Sequence, residues 1–131
     1  MTNRTVTSVK LQRRNKTKVN ISLDGTFAFA VAASVALESS IYAGRELSEE
    51  EILELLGREK RNQAMVRAIR LLSHRPRTEA ELRERLIHQG FEIGVVQSTI
   101  KRLLELGYLD DGAFAKFWLE TRDNNAPRSS R

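Results

Sequence analysis

The 131-residue sequence predicts an α+β fold, predominantly helical, from three observations. Apolar and polar residues alternate between Thr5 and Phe29, the period of strands with one buried face. Two Ser/Thr-x-x-Glu capping boxes, Ser48 with Glu51 and Thr78 with Glu81, each open an apolar-periodic stretch, which is how a helix starts. Gly90 and Gly107 follow such stretches where a left-handed stop is wanted. These features give an N-terminal three-stranded antiparallel β-meander with short helices over residues 1–57, and a helical unit over residues 58–122.

Each element follows in order. The first strand carries Val9 and Leu11, the second Val19, Ile21 and Leu23, and the third Phe27 and Phe29 on the face assigned to the core. Arg13-Arg14-Asn15-Lys16 is a polar turn, and Asp24-Gly25 supplies the two residues at positive φ that a tight hairpin needs. The alanine-rich stretch Val31 to Glu38 favours a short helix and breaks near Ser39, Ser40 and Gly44. Ser48 then opens a helix with Ile52, Leu53, Leu55 and Leu56 as its apolar face, which Gly57 is expected to end or bend. The charged run Arg58-Glu59-Lys60-Arg61 is the expected boundary between modules.

The second module starts with a helix from about Glu59 to Ser73, with Met65, Ala68, Ile69 and Leu72 as its stripe. His74-Arg75-Pro76 stops it, because the residue before a proline is driven out of helical geometry. Thr78 opens a helix to about Gln89 with Leu82, Leu86 and Ile87 inward, Gly90 stops it, and Phe91 folds back on it. The next helix runs from about Ile93 to Leu106 through Val96, Ile100, Leu103 and Leu104. After Gly107 and Tyr108-Leu109, Asp110 is placed to cap a fourth helix with Phe114, Phe117 and Trp118 on one face.

Absent residue types narrow the function. The sequence has no cysteine, which excludes disulfides, thiolate metal sites and cysteine nucleophiles. No glycine pattern matches a P-loop or a dinucleotide fingerprint, and His74 and His88, the two histidines, stand in no metal-ligand spacing. The acidic runs Glu49-Glu50-Glu51 and Asp110-Asp111 fall at helix starts, where the helix dipole favours negative charge. No catalytic residues, metal, cofactor or small-molecule substrate are therefore expected. Met1-Thr2-Asn3-Arg4 lacks the apolar core of a signal peptide, and no apolar run approaches the roughly 20 residues that span a bilayer. A cytoplasmic location without membrane contact is the resulting expectation.

The net charge of +5 and a pI near 10.0 point towards nucleic acid or another acidic surface. One basic group is Arg4, Lys10, Arg13, Arg14, Lys16 and Lys18, with no acid before Asp24. A ribbon so charged suits a phosphate backbone, and it equally suits an edge hairpin protected from aggregation. A second group is Arg70, Arg75, Arg77, Arg83 and Arg85, of which Arg83 and Arg85 are interleaved with Glu81 and Glu84 as in a solvated, salt-bridged face. Read as a helix-turn-helix, residues 79–106 present Glu92, Gln97 and Ser98 at the start of the second helix, a poor set for reading a base sequence.

In order and spacing, Arg75-Pro76-Arg77-Thr78, Glu81-Leu82-Arg83, Leu86, Gly90-Phe91, Leu106-Gly107-Tyr108-Leu109-Asp110-Asp111, Phe114-Ala115 and Trp118 resemble the three-helix repeat of the RecX family. Leu23-Asp24-Gly25 with Phe27 and Phe29, and Leu47-Ser48-Glu49-Glu50-Glu51, resemble that family's β-rich leader. The resemblance implies a cytoplasmic non-enzymatic protein that binds RecA, or the RecA filament on single-stranded DNA, and inhibits recombination and SOS induction. It implies that Thr78, Glu81, Leu82, Leu86, Gly90, Phe91, Leu103, Gly107, Tyr108, Leu109, Asp110, Phe114 and Trp118 are structural, as caps, stops and core. Arg13, Arg14, Lys16, Lys18, Arg75, Arg77 and Arg83 remain as candidate contacts to RecA or DNA. Family members carry about three repeats, and isolated repeats bury no continuous core. In the tail, residues 123–131, Ala126-Pro127-Arg128-Ser129-Ser130-Arg131 echoes Arg75-Pro76-Arg77-Thr78 at an offset of 51 residues and is expected to open a truncated second repeat. A small basic DNA-binding protein using the hairpin and helix-turn-helix, or a structural interaction module, stays open as an alternative.

Overall fold

The computed structural model describes residues 3–109, which form two compact units divided between Asn62 and Gln63. The first unit contains β1 (Arg4–Leu11), β2 (Lys18–Leu23), β3 (Thr26–Ala32), α1 (Ala33–Glu38), β4 (Glu46–Leu47) and the beginning of α2 (Glu49–His74). The expected antiparallel meander is present, and β4 adds a fourth strand on the free side of β1, giving the order β3-β2-β1-β4. With two residues, β4 is too short for any alternation to reveal it. Asp24 and Gly25, at φ 53° and 84°, make the two-residue turn between β2 and β3. The Asp24 carboxylate accepts from Thr5 N–H at 3.0 Å and from Arg4 Nε at 3.2 Å, fastening that turn to β1.

The core of this unit is Val6, Val19, Ile21, Leu23, Val31, Val35, Ala36, Leu47 and Leu55. Two register irregularities correct the expected inward faces, because one extra residue moves the following side chain to the opposite face. The first, between Val6 and Ser8, brings Val6 to the same side as Val9 despite their odd spacing. The second lies where Ile21 pairs with Phe29 but Ser22 pairs with Phe27. Phe27 is accordingly 60% exposed while Phe29 packs against the core. Leu11 is exposed as well: it ends β1, and β4 covers that strand only at Arg4 and Thr5. Val31 and Ala32 complete β3 rather than starting a helix, and α1 begins at Ala33.

Helix α2 opens as expected. Ser48 N–H donates to Glu51 Oε1 at 2.8 Å and Glu51 N–H donates to Ser48 Oγ at 3.1 Å. Gly57 neither ends nor breaks it, since the helix continues to His74. A helix-interior glycine costs only about 1 kcal/mol against alanine, and Glu54 spans the position by pairing with both Arg58 and Arg61. Leu55 is buried and Ile52 partly so, but Leu53 lies outside the stripe and is exposed.

The second unit holds the rest of α2, α3 (Glu79–His88) and α4 (Ile93–Leu106) around Ala68, Leu71, Leu82, Leu86, Val96, Ile100, Leu103 and Leu109. The α2 stripe is turned from its expected position: Ala64, Ala68 and Leu71 are buried, whereas Ile69 is exposed. Small alanines carry little weight in a hydrophobic pattern, so the larger Ile69 misled it. Ile87 and Leu104, expected inward, are also exposed at the margins of their stripes. The capping box is formed, with Glu81 N–H donating to Thr78 Oγ1 at 3.1 Å and Thr78 N–H donating to Glu81 Oε1 at 3.4 Å. Gly90 and Gly107 adopt φ 99° and 82°, and Phe91 and Tyr108 N–H return to the Leu86 and Leu103 carbonyls. Tyr108 is exposed and Leu109 buried. Asp110, Phe114, Phe117, Trp118, the expected fourth helix and the 123–131 tail lie outside the described residues. Among the described residues no helix is long and apolar enough to cross a membrane.

Candidate binding surface

The β1–β2 connection is a short loop organised by Asn15. Its Oδ1 accepts from Thr17 N–H at 3.0 Å, its carbonyl accepts from Lys18 N–H at 3.1 Å, and Gln12 N–H closes the loop onto the Lys18 carbonyl at 3.0 Å. An asparagine bonding two residues ahead in this way fixes a turn without a hydrophobic anchor. Arg13, Arg14 and Lys16 project from this loop, exposed and without an ion pair among the described residues. Their charges stand together on a braced ribbon end, with no carboxylate paired to them among the described residues.

Lys18, counted with them in the sequence, stands differently. Its Nζ donates to Glu59 Oε2 at 2.9 Å, while Glu59 Oε1 accepts from Ala32 N–H at 2.8 Å. Glu59 is 4% exposed, so one carboxylate of α2 holds the paired ends of β2 and β3. Sequence reasoning placed Glu59 in a charged boundary run and missed it. The available signal was its position four residues after Leu55, on the buried face of the helix.

In the second unit Arg75 Nη2 pairs with Glu81 Oε2, and its Nη1 donates to the Pro76 carbonyl at 3.0 Å. Hydrogen bonding to Glu81 raises the Arg75 pKa, and the same contact, ahead of the Thr78 N–H bond, lowers that of Glu81. Arg83 pairs with Glu79 one turn earlier on α3. Arg77 is buried, 8% exposed, and its Nε donates to the Leu71 carbonyl at 3.1 Å in the last turn of α2. Burial, then repulsion from Arg75 and Arg85, push its pKa below the usual guanidinium value against the pull of Glu81. Among the described residues, three of the seven candidate cations are therefore unpaired and adjacent, three are paired, and one is buried.

A separate concavity of about 600 Å³ lies in the first unit between the α1–β4 segment and α2, bordered by Ser39, Tyr42, Arg45, Glu51, Glu54 and Arg58. Its two arginines are neutralised, Arg45 by Glu51 on α2 and Arg58 by Glu54 one turn earlier on the same helix. Among the described residues no cluster of His, Asp or Glu is arranged to hold a metal ion.

Two family models match the chain. One is described as the regulatory protein RecX N-terminal domain, over residues 4–48, and the other as RecX, first three-helix domain, over residues 64–103. The chain is 32% identical over 117 residues to the regulatory protein RecX of Listeria monocytogenes serotype 4a, covering 89% of this chain and 44% of that protein. To the regulatory protein RecX of Lactobacillus johnsonii it is 34% identical over 127 residues, 95% of this chain and 46% of the relative. A crystal structure of regulatory protein RecX superposes with a TM-score of 0.77 at 29% identity, covering 93% of this chain and 60% of that one. The chain thus spans under half the length of these curated relatives.

Proposed function

The chain belongs to the RecX family of regulatory proteins, and from that premise we propose that it binds RecA, on the filament that RecA forms on single-stranded DNA, and restrains recombination and SOS induction. The protein acts in the cytoplasm as a non-enzymatic regulator and needs no cofactor. Support comes chiefly from the β1–β2 loop, where Arg13, Arg14 and Lys16 stand without an ion pair among the described residues on a ribbon braced by Asn15. Such a projection suits a groove lined by acidic side chains and DNA phosphates, because complementary charge speeds encounter and fixes register. Regulation of this kind requires no chemistry. A protein that binds one filament state more tightly than another slows turnover by its differential affinity alone.

The test is the single-stranded-DNA-dependent ATPase of RecA with this chain at saturating concentration. A fall in turnover is expected. Unchanged turnover together with a gel shift of bare DNA would instead identify a DNA-binding protein, and neither effect would identify a structural module.

A further inference from the structure

The outer edge of β1 is covered unevenly. Strand β4 pairs with it at Arg4 and Thr5, and the cover ends at Val6, whose N–H donates to the Arg45 carbonyl at 2.8 Å and whose carbonyl accepts from Gly44 N–H at 2.7 Å. From Ser8 to Leu11 the strand pairs with β2 alone. Backbone groups of an antiparallel strand alternate between its two sides. Gln12 N–H points to β2, donating to the Lys18 carbonyl, so Leu11 and Val9 turn their N–H and C=O groups the other way; the bulge, between Val6 and Ser8, lies before them. No hydrogen bond engages those groups among the described residues. Lys10 and Leu11 are exposed there, Leu11 by 58%, and Val9 is half-buried.

An open edge is a template for another strand, and proteins commonly blunt it. The opposite edge, β3, is blunted by its irregularity opposite Ile21 and Ser22 and by Glu59 Oε1, which takes the Ala32 N–H. The open stretch of β1 carries only charge: Lys10 within it and Arg13, Arg14 and Lys16 just beyond, none with an ion pair among the described residues. Those cations repel a second copy of the same edge and attract an anionic guest. A phosphodiester backbone could accept from the N–H groups but has no donor for the carbonyls, whereas a polypeptide main chain supplies both. We propose that the edge of β1 at Val9 and Leu11 takes an extended acidic segment of a partner protein as an added strand, with the guest's carboxylates facing Lys10 and the loop cations. The loop cations serve the filament reading as well, but a synthetic peptide without RecA tests the edge alone.

The experiment measures amide hydrogen exchange in the full chain during titration with a soluble peptide of alternating Glu and Val. Saturable slowing at Val9 and Leu11 is expected, because their N–H groups become bonded. A peptide N-methylated at successive central residues, so that neither of its edges can donate, should bind about tenfold more weakly, and one of alternating Lys and Val more weakly still. Leu11→Pro removes an outward donor and no bond to β2, a change that edge strands tolerate. It should weaken the Glu–Val peptide about tenfold, read at Val9, without lowering the melting temperature; the N-methylated peptide gives the same comparison on the unaltered chain. The proposal is overturned if the Glu–Val peptide leaves both amides unprotected, including the case in which an oligothymidylate protects them instead, or if the N-methylated or Lys–Val peptide binds equally well.

Discussion

The local devices that the sequence displayed openly are those whose partners lie within a few residues. Ser48 with Glu51 and Thr78 with Glu81 were legible because a capping box closes within four positions. Glu59 was not, because its partners Ala32 and Lys18 are 27 and 41 residues away. Glu59→Ala should destabilise the first unit by about 2 to 4 kcal/mol, since it strips an enclosed backbone N–H and an ammonium of their acceptor. Urea denaturation measures this, and a midpoint like that of the parent would refute the role. Acid provides a second check on the residue scale. Backbone bonding from Thr5, backbone bonding from Ser48 and the Arg75 guanidinium chiefly hold Asp24, Glu51 and Glu81, respectively, below the usual carboxylate range. Lowered pKa values mean that the unfolded chain takes up protons first as pH falls. Their stabilisation is therefore complete above about pH 4.5 and is lost progressively below it, through the folded pKa values. Thermal melts across that interval should show a falling midpoint, and charge-neutral variants of the three should flatten the fall.

Among the elements, α3 and α4 came closest to expectation because each joins an apolar stripe to a glycine stop, and α3 adds its capping box. Leu86→Ala should cost the helical unit about 2 to 5 kcal/mol through the cavity it leaves, read from denaturant midpoints, because Leu86 is fully buried in that core. Gly107→Ala should cost about 1 kcal/mol, since φ is 82° although the space beside the residue is open. Helix α2 was misjudged at Gly57, which was expected to end or bend it: the helix runs on through Gly57 and the charged run, neither of which prevents helical hydrogen bonding, and the division into units falls just after that run, between Asn62 and Gln63. In the sheet, the fault lay in assuming unbroken alternation: neither the Val6/Ser8 nor the Ile21/Ser22 irregularity carries a glycine or proline to announce it.

For the molecule as a whole, charge is concentrated where structure has not already used it. The sequence showed a basic N-terminal stretch but could not show that Asp24 engages Arg4 and Glu59 engages Lys18, leaving the β1–β2 loop as the concentrated unpaired charge of the ribbon. Changing Arg13, Arg14 and Lys16 together to glutamate should weaken binding and, if each meets one phosphate of a single strand, reduce the salt slope by about 2. An unaltered slope would remove the loop from the interface. The most direct test of filament recognition is a comparison of this chain's affinity for RecA filaments assembled on single-stranded DNA with its affinity for the same DNA bare, at one salt concentration. Tighter binding to the filament is the predicted result; equal or tighter binding to bare DNA would contradict it.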